Sequence, residues 1–163
     1  GYADNEEPLA SHDVIERLRA AGIQQFGIIT GRNAIELQAG LKKLRWSAHD
    51  IAAIVTGDVI RKPDPACLDL VIDAVDARSV VYVGDTRDDW ELVRRYRSER
   101  APGIDVRAII VASGQVIRYR HLGIDAFVKR TDDALLLIER WKENAIPKRS
   151  LLGRLMRRLP APG

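Results

Sequence analysis

Thr30, Lys62 and the acids Asp85, Asp88 and Asp89 each stand just beyond a short apolar run, in that order along the chain. The last group is the densest. Val80-Val81-Tyr82-Val83 runs straight into Gly84-Asp85, and two further acids follow at once. A β-branched or aromatic run closed by glycine reads as a buried parallel strand, and open α/β sheets bind ligands beyond the carboxyl ends of such strands. Three carboxylates placed there suit a hard cation such as Mg²⁺, which takes a few carboxylates together with water and phosphate oxygens. The same residues also suit a plain helix start, with Asp85 or Thr86 as N-cap and Asp88 and Asp89 favouring the helix dipole. Spacing alone leaves both readings open.

Thr30 closes an apolar strand before Gly31, where a hydroxyl and the N–H groups of a turn can hold a phosphate oxygen. A simple strand-to-helix cap uses the same residues. Lys62 lies between Arg61 and Pro63 in the string Arg61-Lys62-Pro63-Asp64-Pro65. Two prolines with fixed φ stiffen that loop and aim one point charge, which could neutralise a phosphate or a carboxylate nucleophile. Its other reading is an exposed loop lysine. A hydroxyl, a cation and an acidic cluster, each after its own strand, together supply what phosphoryl transfer needs.

The elements that must position these groups alternate regularly. Ser11 reads as the N-cap of a helix carrying Val14, Ile15, Leu18 and Ala21 up to Gly22. Strands are expected at 25–30, 51–55, 80–83, 106–111 and 126–128, and helices after each of the first three, at 115–121 and at 132–141. Asp64 is expected to cap the third helix, with Pro65 at its first position. Strand and helix in alternation call for an α/β fold with a parallel sheet and helices on both faces.

Composition narrows the class. The chain has 163 residues, 46% hydrophobic and 30% charged, enough for one domain with a core and too few for two ordinary ones. Its one cysteine, Cys67, excludes an internal disulfide framework and reads as a small buried residue in a reducing, cytoplasmic setting. No apolar run is long enough to cross a membrane. From Ala145 onward, Lys148, Arg149, Arg154, Arg157 and Arg158 stand with no acid, so a net charge of +3 leaves −2 on the remainder. Basicity confined to a tail gives no reason to expect nucleic acid as a partner. The tail suits instead a contact with an acidic partner or surface, or a solvated terminus. His12, His49 and His121 are scattered without metal-ligand spacing.

With those residues in view, the chain resembles the haloacid dehalogenase (HAD) superfamily. Ile28-Ile29-Thr30-Gly31-Arg32 is similar to its motif II, Lys62-Pro63-Asp64-Pro65 to motif III, and Gly84-Asp85-Thr86-Arg87-Asp88-Asp89 to motif IV, GDxxxD. The resemblance spans roughly residues 8–142 and includes Asp125-Ala126-Phe127-Val128 and Asp132-Asp133-Ala134-Leu135 near its end. It implies a Rossmann-like core at 11–144, a remnant of a cap-to-core linker at 1–10 and a basic tail at 145–163. Asp4-Asn5-Glu6-Glu7-Pro8-Leu9 resembles the join from an inserted helical cap, which implies the capped, phosphatase-type group. The roles it implies are Thr30 and Gly31 on the transferring phosphoryl group and Lys62 on both nucleophile and phosphate. Asp85 would bind Mg²⁺, with Asp88 and Asp89 supporting the metal, its waters or the neighbouring backbone. The implied substrate is a small phosphorylated metabolite.

The family's motif I, an apolar strand ending in Asp-x-Asp whose first Asp attacks phosphorus, has no match before Thr30. In the family that strand lies between the strand ending at Thr30 and the one ending at Asp85. Without it, either those two strands close on each other or another segment lies between them. A sequence opening Gly-Tyr-Ala and lacking the nucleophile is expected to be part of a longer Mg²⁺-dependent phosphomonoester hydrolase, inactive by itself. The alternative is a non-catalytic HAD-like module that binds a protein through its open strand edges. A receiver-like or flavodoxin-like domain fits less well, because the acidic cluster falls late and follows a Lys-Pro-Asp-Pro loop.

Overall fold

Every apolar run named above becomes a strand, and the first, second, third and fifth strands are each followed by a helix. The computed structural model describes residues 11–100, 103–112 and 123–145. The expected linker at 1–10, the short helix at 115–121 and nearly all of the basic tail lie outside them. Strands β1 (Gly27–Ile29), β2 (Ala53–Val55), β3 (Ser79–Gly84), β4 (Asp105–Val111) and β5 (Ala126–Val128) are parallel wherever they pair. They are joined through helices α2 (Ala34–Leu44), α3 (Ala66–Val75) and α4 (Arg87–Glu99); α1 (Val14–Ala20) and α5 (Thr131–Ala145) flank them in sequence.

The helices divide between two faces, as the alternation of strand side chains requires. On one face α3 and α4 set Leu68, Ile72, Leu92 and Val93 against Val80 and Tyr82 of β3. On the other, α1 and α5 set Leu18 and Ile138 against Val81, Ile109 and Val111. β4 lies between β3 and β5 and is covered on both faces, which explains its unbroken apolar run from Ala108 to Val111. Each of the fully buried side chains Leu68, Leu92, Ile109 and Ile110 contributes about 1.5–3 kcal/mol relative to exposure. The α/β class, parallel pairing and two-faced cover follow the sequence. So does Cys67, which is wholly buried.

Three details differ. α1 starts after Asp13, not after Ser11, and Ser11 donates its hydroxyl to Asp132 at 3.3 Å, tying α1 to the start of α5. β1 and β2 are only three residues each, because each is short of a partner on one side. Most consequentially, β1 and β3 do not close on each other. The described strands form a two-stranded sheet, β1-β2, and a three-stranded sheet, β3-β4-β5. Between them runs an apolar cavity of about 650 Å³, lined by Gly27–Ile29, Val80–Gly84 and side chains of α1 and α5.

Candidate active site

The carboxyl end of β1 leads into Thr30, that of β2 into the loop bearing Lys62, and that of β3 into Asp85, which lines the cavity. The first two are locked together by backbone. Thr30 N–H donates to Val55 at 2.9 Å, and Gly57 N–H donates to the Arg32 carbonyl at 2.9 Å. A methyl carbon built on Gly57 would lie 2.3 Å from the Gly31 carbonyl oxygen, so only glycine lets the two loops approach this closely. Asp58 completes the join. Its carboxyl is held below the usual carboxylate range, first by the Thr56 hydroxyl and then by backbone N–H groups that include Ala34 at the start of α2. Thr30 Oγ1 accepts the Arg32 N–H at 3.2 Å, which aims the hydroxyl along the turn. Asn33 and Glu36 close a reciprocal capping box on α2, at 2.9 and 3.0 Å.

Loop and third strand are joined by one carboxylate. Asp89 is 2% exposed, and Lys62 Nζ donates to its Oδ1 at 2.6 Å. The Tyr82 hydroxyl donates to the same oxygen, also at 2.6 Å. Oδ2 accepts the backbone N–H of Asp85 at 3.1 Å and of Thr86 at 2.9 Å, and the Thr86 hydroxyl at 2.7 Å. Thr86 Oγ1 accepts the Asp89 N–H in return, so the N-cap reading of Thr86 holds alongside any metal role for its neighbours. Burial by itself pushes the Asp89 carboxyl up. The Lys62 charge and the hydrogen bonds from Lys62, Tyr82 and Thr86 outweigh it, and the net direction is down. Burial first, and then the Asp89 charge, push the Tyr82 phenol well up, so it stays a donor.

Gly84 makes room for this arrangement: a methyl there would lie 2.4 Å from Asp89 Cγ. Asp64, expected as the cap of α3, accepts the Ala66 N–H at 2.9 Å, with Pro65 at the N-cap and buried. The Lys62–Pro63 peptide bond is cis.

The three acids expected as a metal set, Asp85, Asp88 and Asp89, stand differently from one another. Five donors occupy both oxygens of Asp89, which anchors Lys62 and the strand end. Asp88 is exposed on the first turn of α4, and Asp85 is half-buried at the cavity end. Among the described residues no three His, Cys, Asp or Glu side chains gather closely enough to hold a metal ion. Asp85 would suit Mg²⁺ as one carboxylate, an ion that takes its further oxygens largely from water and phosphate. Sequence reasoning missed Tyr82, Gly57 and Asp58. Only the Gly-Asp-x-x-x-Asp spacing, which folds Asp89 back over Gly84 within one helical turn, carried a signal for any of them.

A sequence model of the haloacid dehalogenase-like hydrolases matches residues 3–94. Among solved structures, the phosphatase Tt82 from Thermococcus thioreducens is similar at 26% identity and a TM-score of 0.59, over 84% of this chain and 47% of that one. A Bacteroides fragilis protein described as a haloacid dehalogenase-like hydrolase shares the fold, at 21% identity and a TM-score of 0.53, over 71% and 53% of the two chains. The chain thus spans about half the length of each. No curated protein matches it.

Proposed function

The chain belongs to the haloacid dehalogenase-like hydrolases, and from that premise we propose that it forms the phosphate-handling part of a phosphatase acting on a small phosphorylated metabolite. One observation carries this reading: Asp85 lines the gap between β1 and β3, Lys62 is tied to the same strand end through Asp89, and Thr30 directly follows β1, whose Gly27–Ile29 line the gap's other side. The Thr30 hydroxyl and the N–H of its turn suit the transferring oxygens. The Lys62 ammonium, held by Asp89, keeps protons for an anion and offsets charge that builds on the phosphoryl group. Asp85, with Asp88 beside it, would hold Mg²⁺, which when bound polarises the phosphoryl oxygens.

The attacking group enters with an extended strand in the gap, parallel to β1 and β3 and ending in a carboxylate. That carboxylate oxygen bonds to phosphorus as the ester oxygen departs with a proton from the second Asp of the same Asp-x-Asp, which takes a proton back from the water that then releases phosphate. A polypeptide in which an apolar strand ending in Asp-x-Asp precedes this chain should hydrolyse p-nitrophenyl phosphate in the presence of Mg²⁺. Lys62→Ala in it should cost about 10²–10³ in kcat, the scale for one lost electrostatic contact. Undiminished turnover in that variant would sink the proposal.

The edges of β1 and β3 that face the gap, without a strand partner among the described residues, favour a second reading, a non-catalytic module that accepts a strand from a partner protein. It requires a strand lacking the terminal carboxylate to bind as well as one that carries it, with no turnover from either.

A further inference from the structure

We infer that Tyr82 is a positioning residue for Lys62, setting the direction of the ammonium by sharing Asp89 Oδ1 with it; this rests on the phosphatase reading only for its functional consequence. Tyr82 and Gly84 lie two apart on β3 and so project to the same face. Gly84 leaves a hole there, Asp89 fills it from the first turn of α4, and the Tyr82 ring rises beside it through the apolar layer of Val55, Leu68, Leu92 and Val93. A phenylalanine would fill that layer equally well. A hydroxyl placed in it costs free energy unless it is bonded, and this one is bonded to Asp89 at 2.6 Å.

The effect on Lys62 is geometric. Oδ1 has two lone-pair directions, and Tyr82 occupies one of them. The ammonium, also at 2.6 Å, is confined to the other. Lysine is ordinarily a rotatable point charge on a flexible stem. Here the shared oxygen fixes its axis, while Oδ2 is fully taken by Thr86 and the backbone N–H of Asp85. A Lys62 so held offers its remaining protons in a constant direction, the condition under which preorganised charge is effective.

The test is Tyr82→Phe in the chain as it stands, read by a ¹H–¹⁵N spectrum tuned to lysine ammonium groups, with Lys62→Met identifying the signal. The wild-type protein should show one sharp, slowly exchanging ammonium from Lys62. In Tyr82→Phe that signal should broaden or vanish while the melting temperature falls by only a few degrees. An unchanged Lys62 signal in the folded variant overturns the inference. Titration with inorganic phosphate and Mg²⁺ separates the two readings, since Tyr82→Phe should weaken phosphate binding about tenfold, the scale of one charge-assisted hydrogen bond. Absence of phosphate binding by the wild-type chain would count against the phosphatase reading, while the ammonium signal would still decide the role of Tyr82.

Discussion

Asp89→Ala should lower the unfolding free energy by about 3–5 kcal/mol, the cost of breaking a buried ion pair from one side. The magnitude follows from what is orphaned. The Lys62 ammonium, with a side chain only 14% exposed, loses its acceptor, and so do the Tyr82 hydroxyl, the Thr86 hydroxyl and two strand-end N–H groups. The side-chain half of the capping box at the start of α4 is among these losses, while the backbone N–H of residue 89 can still donate to the Thr86 hydroxyl. Urea unfolding would measure it, and a loss below about 1 kcal/mol would mean that the network relaxes around the deletion.

The carboxylate also sets an acid limit. Its pKa in the folded state lies below the ordinary value, so its stabilisation is complete above the unfolded pKa of about 3.9 and is lost as pH falls through the lower folded value. The stability gap between wild type and Asp89→Asn should therefore be level from neutral pH down to about pH 5 and should close only below about pH 4. A gap that closed near pH 6 would assign the effect to another group.

Gly57→Ala should be as damaging to the site as Asp89→Ala is to the fold. The added methyl carbon would meet the Gly31 carbonyl at 2.3 Å from oxygen and 2.8 Å from carbon. Backbone cannot rotate aside as a side chain can, so the loop carrying Lys62 must draw away from the turn carrying Thr30. We expect a loss of about 1–3 kcal/mol, typical of overpacking. In a polypeptide that also carries the strand with the nucleophile, kcat should fall about 100-fold, the cost of an ångström of misplacement. Gly31→Ala is the internal control. A methyl there meets nothing within 4 Å, so stability should stay within about 0.5 kcal/mol of wild type. Equal melting of the two variants would show that the close approach matters little.

These two residues mark where sequence reading succeeded and where it stopped. Thr30, Lys62 and Asp85 each follow their own strand, and strand ends are legible from apolar runs; their order across the sheets is not that of the chain, since β1 rather than β2 lines the gap opposite β3. The three acids were read as one set because they are near neighbours, yet Asp88 and Asp89 point about 100° apart on a helix and cannot share a duty. That much was available from helical geometry. Gly57 was not, since its partner Gly31 lies across a helix and a strand, and nothing local marks the contact. Ser11 shows a further limit: a good N-cap type stands two residues before the actual N-cap, Asp13, and Asp132 claims its hydroxyl instead. Tyr82 reads as core from alternation alone, and it is core, but alternation does not reveal what its hydroxyl touches.

The gap between β1 and β3 has a consequence for how the molecule breathes. Among the described residues no backbone ladder crosses it, and side chains of α3 pack against residues of both half-sheets. Local opening of such a structure proceeds in separate cooperative units. Amides of β4, with a partner on each side, should exchange with solvent deuterium only on global unfolding, Ile109 and Ile110 among the slowest. Those of β1 and β2 should exchange earlier, by an opening that leaves β3, β4 and β5 intact. A strand seated in the gap would fuse the two tiers into one, so that protection of Ile28 would rise toward that of Ile109 without any residue of either sheet being changed.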